Sequence, residues 1–310
     1  MLSLPSSQSS EQNWLDKVFF GLKNGITEIP ISEYRIENQQ LIYKEYASDG
    51  LEGISKSLNL NMFPNGEFED FISEKTFLFG TDKYGRDMLS RVLVGARISF
   101  FIGFVAVFIS LIIGISLGSI AGYFGGKTDA LIMWVINVTW SIPTLLLVIA
   151  ITLALGKGFW QVFIAVGLTM WVEVARIVRG QVISVKELQY VTAARALGFN
   201  DFRVITKHIL PNIMAPIIVI SAANFAGAIL IESGLSFLGI GAQIPMASWG
   251  AMLEQHKAYM MTTGNESAFL AILPGISIII LVFAFMLLGN GLRDALDTKS
   301  AGPFRLTCKC

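Results

Sequence analysis

Five stretches of this 310-residue chain are apolar, almost free of charge and long enough to cross a bilayer. They fall at residues 98–122, 130–155, 159–180, 213–240 and 268–291. At 1.5 Å per residue, ~20 helical residues cross ~30 Å of hydrocarbon. A charge placed there costs on the order of 3 kcal/mol. Accordingly, the charged residues, 15% of the chain, crowd into the first 97 positions and a few later loops. Five such runs in one short chain argue against the core helices of a soluble protein. The sequence therefore predicts an all-α polytopic membrane protein with five visible transmembrane helices.

Net charge is zero, so nothing points to a nucleic-acid partner. Cys308 and Cys310 are separated by one residue, and no further Cys or nearby His completes a tetrahedral set, so neither a structural disulfide nor a zinc site is expected. The apolar run at 18–22 is too short for a span and lacks the flanks of a signal peptide. Residues 31–46 alternate loosely, which predicts a small hairpin turning near Asn38. Three regions follow: a polar N-terminal, extracytoplasmic segment at 1–78, a transmembrane domain at 79–298 and a tail at 299–310.

Orientation comes from Lys and Arg. The loop after the third helix holds Arg176, Arg179, Lys186, Arg195, Arg203 and Lys207, whereas loops 156–158 and 241–267 hold only Lys157 and Lys257. Residues 181–212 are therefore expected in the cytoplasm. Alternation then puts the N-terminal segment outside, in conflict with Lys83, Arg86, Arg91 and Arg97 just before the first helix. Two resolutions are open. A helix ahead of this sequence is missing, or residues 82–97 lie along the membrane surface as an amphipathic helix.

Within the spans, Ala106, Ser110, Gly114, Gly118 and Gly122 recur every four residues and form one small-residue stripe. Such a stripe lets helix backbones approach where lipid gives no drive to associate, so it reads as packing. Pro143 and Pro274 predict kinks facing protein or a pathway, or kinks with no transport role. Glu232 is either a pathway group or a group that bonds a broken helix end near Ser233 and Gly234 or pairs with a neighbouring subunit. Glu173, Arg176 and Arg179 share a helix face, and Glu173 can pair with Arg176 at i,i+3, as a gate or as a snorkelling anchor.

The basic loop reads YVTAARALGFNDFRVITKHILPN from Tyr190 to Asn212. Residues 191–197 form a short helix of good formers that Gly198 ends in a left-handed cap. Asn200 and Asp201 can cap a second helix over 202–210, and Pro211 stops it. The small face of the first helix (Ala193, Ala194, Ala196) fits the groove of a partner.

This loop resembles the coupling motif of ABC importer permeases: Glu-Ala-Ala, three residues, Gly, nine residues, Ile, any residue, Leu-Pro. Ala193, Ala194, Gly198, Leu210 and Pro211 match, Thr192 stands for the Glu and His208 for the Ile. Further stretches resemble the C-type subunit of the dipeptide/oligopeptide (peptide/nickel) permeases. They are FGTDKYGRDMLSRVLVGARIS (79–99), AGYFGGKTDALIM (121–133), SIPTLLL (141–147), ESGLSFLGIG (232–241), SWG (248–250) and GNGLRDALD (289–297). The resemblance covers about residues 64–298. It implies a multi-pass subunit of a prokaryotic cytoplasmic (inner) membrane that pairs with a second permease. Two cytoplasmic ATPase subunits dock below, and an extracytoplasmic solute-binding protein delivers the solute. This chain would be a pore subunit, not an enzyme. It would bind no cofactor, ATP sitting on the partners. The ATPase-coupling residues would be Thr192, Ala193, Ala194, Arg195, Ala196, Leu197, Gly198, His208, Leu210 and Pro211. Family members carry one more helix at the front, giving six.

The remaining signals are weaker. AGYFGGKT (121–128) nearly matches a phosphate loop, but a transmembrane helix precedes it where a strand is needed. It reads as a Gly-rich cytoplasmic turn with Lys127 and Asp129 at the interface. Candidate pathway or gate residues are Pro143, Glu173, Arg176 and Glu232. Asp82, Arg86 and Asp87 are expected to brace the helix that leads into the first span. No catalytic set or metal site is expected, and His208 and His256 stand isolated. The alternative is a stand-alone ion-coupled secondary transporter, which would want paired intramembrane carboxylates or internal repeats.

Overall fold

The computed structural model describes residues 1–5, 26–37, 39–46, 53–60, 71–82, 84–156, 159–241, 246–260 and 268–296. The tail with Cys308 and Cys310, the run at 18–22, Asn38, Lys83 and Lys157 lie outside the described residues.

Ahead of the membrane domain stands a small β unit. Strands β1 (Leu2–Pro5) and β2 (Ile26–Ile29) pair antiparallel. Strands β3 (Ile31–Glu37), β4 (Gln40–Glu45) and β5 (Ser55–Asn59) form a three-stranded meander. The expected hairpin is present, with Glu37 opposite Gln40. Alternation along β4 sends Leu41 and Tyr43 to one face, where they close over Leu2. A span-counting reading does not register strands this short.

The membrane domain is helical: α1 (Met88–Phe124), α2 (Gly126–Trp140), α3 (Thr144–Leu155), α4 (Phe159–Lys186), α5 (Gln189–Ala196), α6 (Met214–Phe237), α7 (Trp249–His256) and α8 (Phe269–Leu296). Among the described residues, four helices are long and apolar enough to cross a membrane, and the pair α2–α3 makes a fifth if counted as one span. That pair corrects the single helix expected at 130–155: the kink expected at Pro143 is a full break. It is broken over residues 141–143 and bent by 91°. Pro143 cannot donate to the helix ladder and pushes Ile142 out of the helical region, so α2 ends before it and α3 starts after it. Pro143 itself is extended (φ −54°, ψ 125°).

The first span also departs from expectation. Residues 88–97 do not form a separate helix on the membrane surface but are the first turns of α1, which runs unbroken for 37 residues, about 55 Å. The chain enters it through the Asp87 side chain, which accepts from Leu89 N at 3.2 Å and Ser90 N at 3.1 Å. These bonds satisfy two of the orphan donors that open every helix.

Helices α1 and α4 make the largest contact of the domain. The small-residue stripe is the reason. Ala106, Ser110, Gly114, Gly118 and Gly122 are all buried. A Cβ on Gly118 would lie 2.5 Å from the carbonyl oxygen of Ala175, and one on Gly114 would lie 2.5 Å from Cβ of Val174. Around this seam, Val174, Val178 and Val182 of α4 join Tyr123 in one core, while Ile98, Ile102 and Ala106 pack on Val162, Phe163 and Val166 in another. Helices α6, α7 and α8 stack beside them on Met88, Phe225, Ile229, Trp249 and Met252.

The seam yields a test. Gly118→Leu should destabilise the detergent-solubilised protein by about 2–3 kcal/mol, because a side chain there meets backbone that cannot give way. Gly180→Ala should leave stability unchanged or slightly raised, since nothing lies within 4 Å of the added carbon. Chemical denaturation followed by tryptophan fluorescence would measure both.

Candidate functional site

Three places on the molecule hold the residues that the sequence singled out. The first is the basic loop. Its helix α5 ends in a paired cap: Phe199 N donates to Ala194 O at 3.3 Å and Gly198 N to Arg195 O at 3.0 Å. Gly198 sits at φ +77°, where a Cβ is disfavoured. Asn200 then opens the next turn by accepting from Phe202 N at 3.3 Å. Pro211 does not stop this second helix. The chain widens into a π-helical turn over Val204–Ile209, tightens over Leu210–Ile213 and continues as α6. Lacking an N–H to close a regular turn, Pro211 frees a carbonyl upstream, and the helix absorbs the misfit by widening. Asn212 Nδ2 donates to His208 O at 2.7 Å in the same turn.

The loop is fastened to the ends of α1 and α4. Tyr123 Oη donates to Asp201 Oδ1 at 2.5 Å, and Arg195 covers the Tyr123 ring at 4.9 Å. Lys186 Nζ donates to Gly122 O at 3.2 Å. Burial sorts the singled-out residues. Thr192, Ala193, Arg195, Ala196, Leu197, Gly198 and Pro211 are exposed; His208, stacked on Phe199, and Leu210 are half-buried. Ala194 is buried with Val191 and Val204, so it belongs to the core and not to the outward face of α5. The outward face instead includes Leu197 and Phe202, each 74% exposed. Phe202 was missed in the sequence, although a phenylalanine directly after the polar pair Asn200 and Asp201 is a readable signal.

The second place is the opposite end. Asp82 is buried and accepts from Tyr84 N at 2.9 Å, Arg86 N at 3.0 Å and Arg86 Nε at 2.7 Å, with Arg91 Nε 3.5 Å away. Gly85, at φ +70°, makes the turn that returns Arg86 to the carboxylate. Just beyond, Trp249 Nε1 donates to Val92 O at 2.8 Å, and Gly95 lets the indole lie directly on α1. Gly250 in turn lies against the backbone of Ser233. Three stretches far apart in sequence, at 79–99, 232–241 and 248–250, thus become one packed block. Glu232 is part of it. It is buried and accepts from Ser236 Oγ at 2.7 Å. Helix α6 is unbroken at Ser233 and Gly234, so the broken helix end expected beside Glu232 does not exist.

The third place is the α2–α3 elbow. The expected ion pair of Glu173 with Arg176 is not formed. Arg176 turns to α2, where it donates to Asn137 Oδ1 at 3.1 Å and lies 3.5 Å over the Trp140 ring. Arg179, one turn on, holds Asp129 through two bonds of 2.5 and 2.6 Å. The Asp129 carboxylate belongs to the segment read as a Gly-rich turn, where α1 gives way to α2 through Gly125 and Gly126, both at positive φ. Glu173 remains exposed and lines a cavity of about 300 Å³ with Trp140, Ile142, Thr144, Leu147, Thr169, Met170 and Ile231. Pro143 sits at the bend beside it, and Glu232 is not among its lining residues.

The Asp129–Arg179 pair ties α2 to α4. Asp129→Asn and Arg179→Gln should each lower stability, and the double variant should lose less than their sum by about 1 kcal/mol in a denaturation cycle.

Comparison with known proteins adds four likenesses. Residues 114–301 match the family described as binding-protein-dependent transport system inner membrane component. The oligopeptide transport system permease protein OppC of Haemophilus influenzae is 43% identical over 221 residues, covering 71% of this chain and 70% of that protein. The dipeptide transport system permease protein DppC of Bacillus subtilis is 43% identical over 221 residues, covering 71% and 68%. Among solved structures, a chain of the MetNI methionine ABC transporter in an inward-facing conformation superposes with a TM-score of 0.54 at 17% identity, covering 67% of this chain and 97% of that one. This last likeness is one of fold.

Proposed function

This chain belongs to the family of binding-protein-dependent transport system inner membrane components, and from that premise we propose that its cargo is a peptide or a similar small solute. It is a membrane-embedded permease subunit of an ABC importer. The stand-alone ion-coupled transporter is thereby set aside. Peptide cargo is supported by relatives that are oligopeptide and dipeptide permease proteins.

In the proposed assembly, a second permease pairs with this chain, two ATPase subunits dock on the cytoplasmic side and an extracytoplasmic binding protein delivers the solute. ATP is bound and hydrolysed by the ATPases. The membrane is the prokaryotic cytoplasmic membrane, with 181–212 in the cytoplasm. The observation that carries this reading is the exposed face of the basic loop. Leu197 and Phe202 stand out on a short helix and turn that are otherwise rigidly held. Exposed apolar residues grouped on an ordered element mark an interaction surface. Through Tyr123, Asp201, Arg195 and Lys186, a push on that face reaches the ends of α1 and α4. Through the π-helical turn it reaches α6 without a break. The cavity lined by the exposed Glu173 of α4, with the elbow at Pro143, supplies this chain's half of the path.

Gly198→Val would put a β-branched side chain at φ +77° and deform the cap. With its second permease co-expressed, the wild-type chain should co-purify with an ATPase subunit, and Gly198→Val should lose most of it while remaining folded by circular dichroism. Full retention in the variant would overturn the docking role of this loop. Absence of any ATPase with the wild-type pair would overturn the proposed assembly.

A further inference from the structure

Glu173 lies in the middle of α4, 13 residues from Lys186, about 20 Å into the membrane domain. A carboxylate at that depth is costly against lipid, so an exposed one must face water or a partner. The cation beside it in sequence does not form an ion pair with it. Arg176 is committed to Asn137 and to the ring of Trp140. No described Lys or Arg forms an ion pair with Glu173. Among the described residues, Glu173 is also the single charged residue lining its cavity.

The rest of the lining has its own chemistry. Thr139 and Thr169 spend their hydroxyl hydrogens on the carbonyls of Val135 and Val166, leaving oxygen lone pairs toward neighbours. Ile142, Leu147, Met170 and Ile231 supply an apolar wall, and Trp140 an aromatic edge. A carboxylate without an ion pair, hydroxyl acceptors and an apolar wall together fit an alkylammonium group attached to a small side chain. An anion or a neutral polar group would meet the wrong charge or none.

We propose that the Glu173 carboxylate engages the amino-terminal ammonium of a peptide as it crosses, and so selects for a free amino terminus within the membrane domain. The proposal rests on the peptide reading above. A cation of the second permease facing Glu173 is the competing occupant, and the test separates the two.

The complete importer, with both permeases, the ATPases and the binding protein, would be reconstituted in vesicles with wild-type, Glu173→Gln and Glu173→Asp chains. Uptake of trialanine would be compared with that of N-acetyl-trialanine, each delivered preloaded on the binding protein. Wild type should favour trialanine. Glu173→Gln should cut trialanine turnover about tenfold while changing the acetylated peptide by less than about twofold, and Glu173→Asp should retain most of the trialanine rate. Equal loss for both peptides would overturn the proposal in favour of subunit pairing, and unchanged uptake of both would overturn it outright. If the wild-type importer keeps its ATPases yet moves neither peptide, the peptide reading itself fails, and the selection role fails with it.

Discussion

The close approach of α1 and α4 is the constraint on which the other contacts depend. Lipid tails give helices no hydrophobic reason to associate, so the pair holds through contact between main chains. Gly114, Gly118 and Gly122 lie against the carbonyl oxygens of Trp171, Ala175 and Arg179, so the two backbones meet along the seam with Val174, Val178 and Val182 packed beside them. That fixes their relative rotation as well as their distance. One consequence appears at each end. At one, Lys186 reaches the last carbonyls of α1 and the basic loop is anchored on Tyr123. At the other, Phe163 and Val162 close on Ile98 and Ile102, and the first turns of α1 stay free to receive Trp249.

Most of the helical domain could be read from the sequence because the bilayer makes the pattern coarse. Runs of apolar residues fixed four spans to within a few residues at most of their ends. The four-residue period of the α1 stripe gave its packing face before any partner was known. What could not be read follows from terms outside that pattern. Hydropathy is blind to the break at 141–143, since Ile142 and Pro143 are as apolar as their neighbours; only the backbone chemistry of proline separates α2 from α3. Similarly, Pro211 looked like a stop, but its place in the first turn of a helix that already had a continuation made it a bulge. Arg176 had Glu173 as its candidate partner at helical spacing, and tertiary contact with Asn137 and Trp140 outweighed that local pairing.

The candidate site was legible in unequal parts. The cap at Gly198 and the turn at Asn200 follow from local rules and were placed correctly. Which face of α5 looks outward depends on what lies behind it, and Ala194 went to the wrong side because the core formed by Tyr123, Val178 and Val204 is invisible in the loop itself. The block of Asp82, Trp249 and Gly250 shows the opposite case. Its three segments could each be recognised, yet nothing in their spacing said that they meet.

The elbow between α2 and α3 has an effect that does not depend on any side chain. A helix that ends or begins leaves main-chain carbonyls or amides without partners inside the helix. Here, about 20 Å in from the basic-loop end, the carbonyls of Asn137, Val138 and Thr139 are met by Ser141 and Ile142, whereas Pro143 brings no side-chain cap to the amides of the first turn of α3. Hydrocarbon cannot solvate such groups. The amides that open α3 therefore need a polar neighbour at this depth, so the bend belongs against protein or a wet cavity and not against lipid.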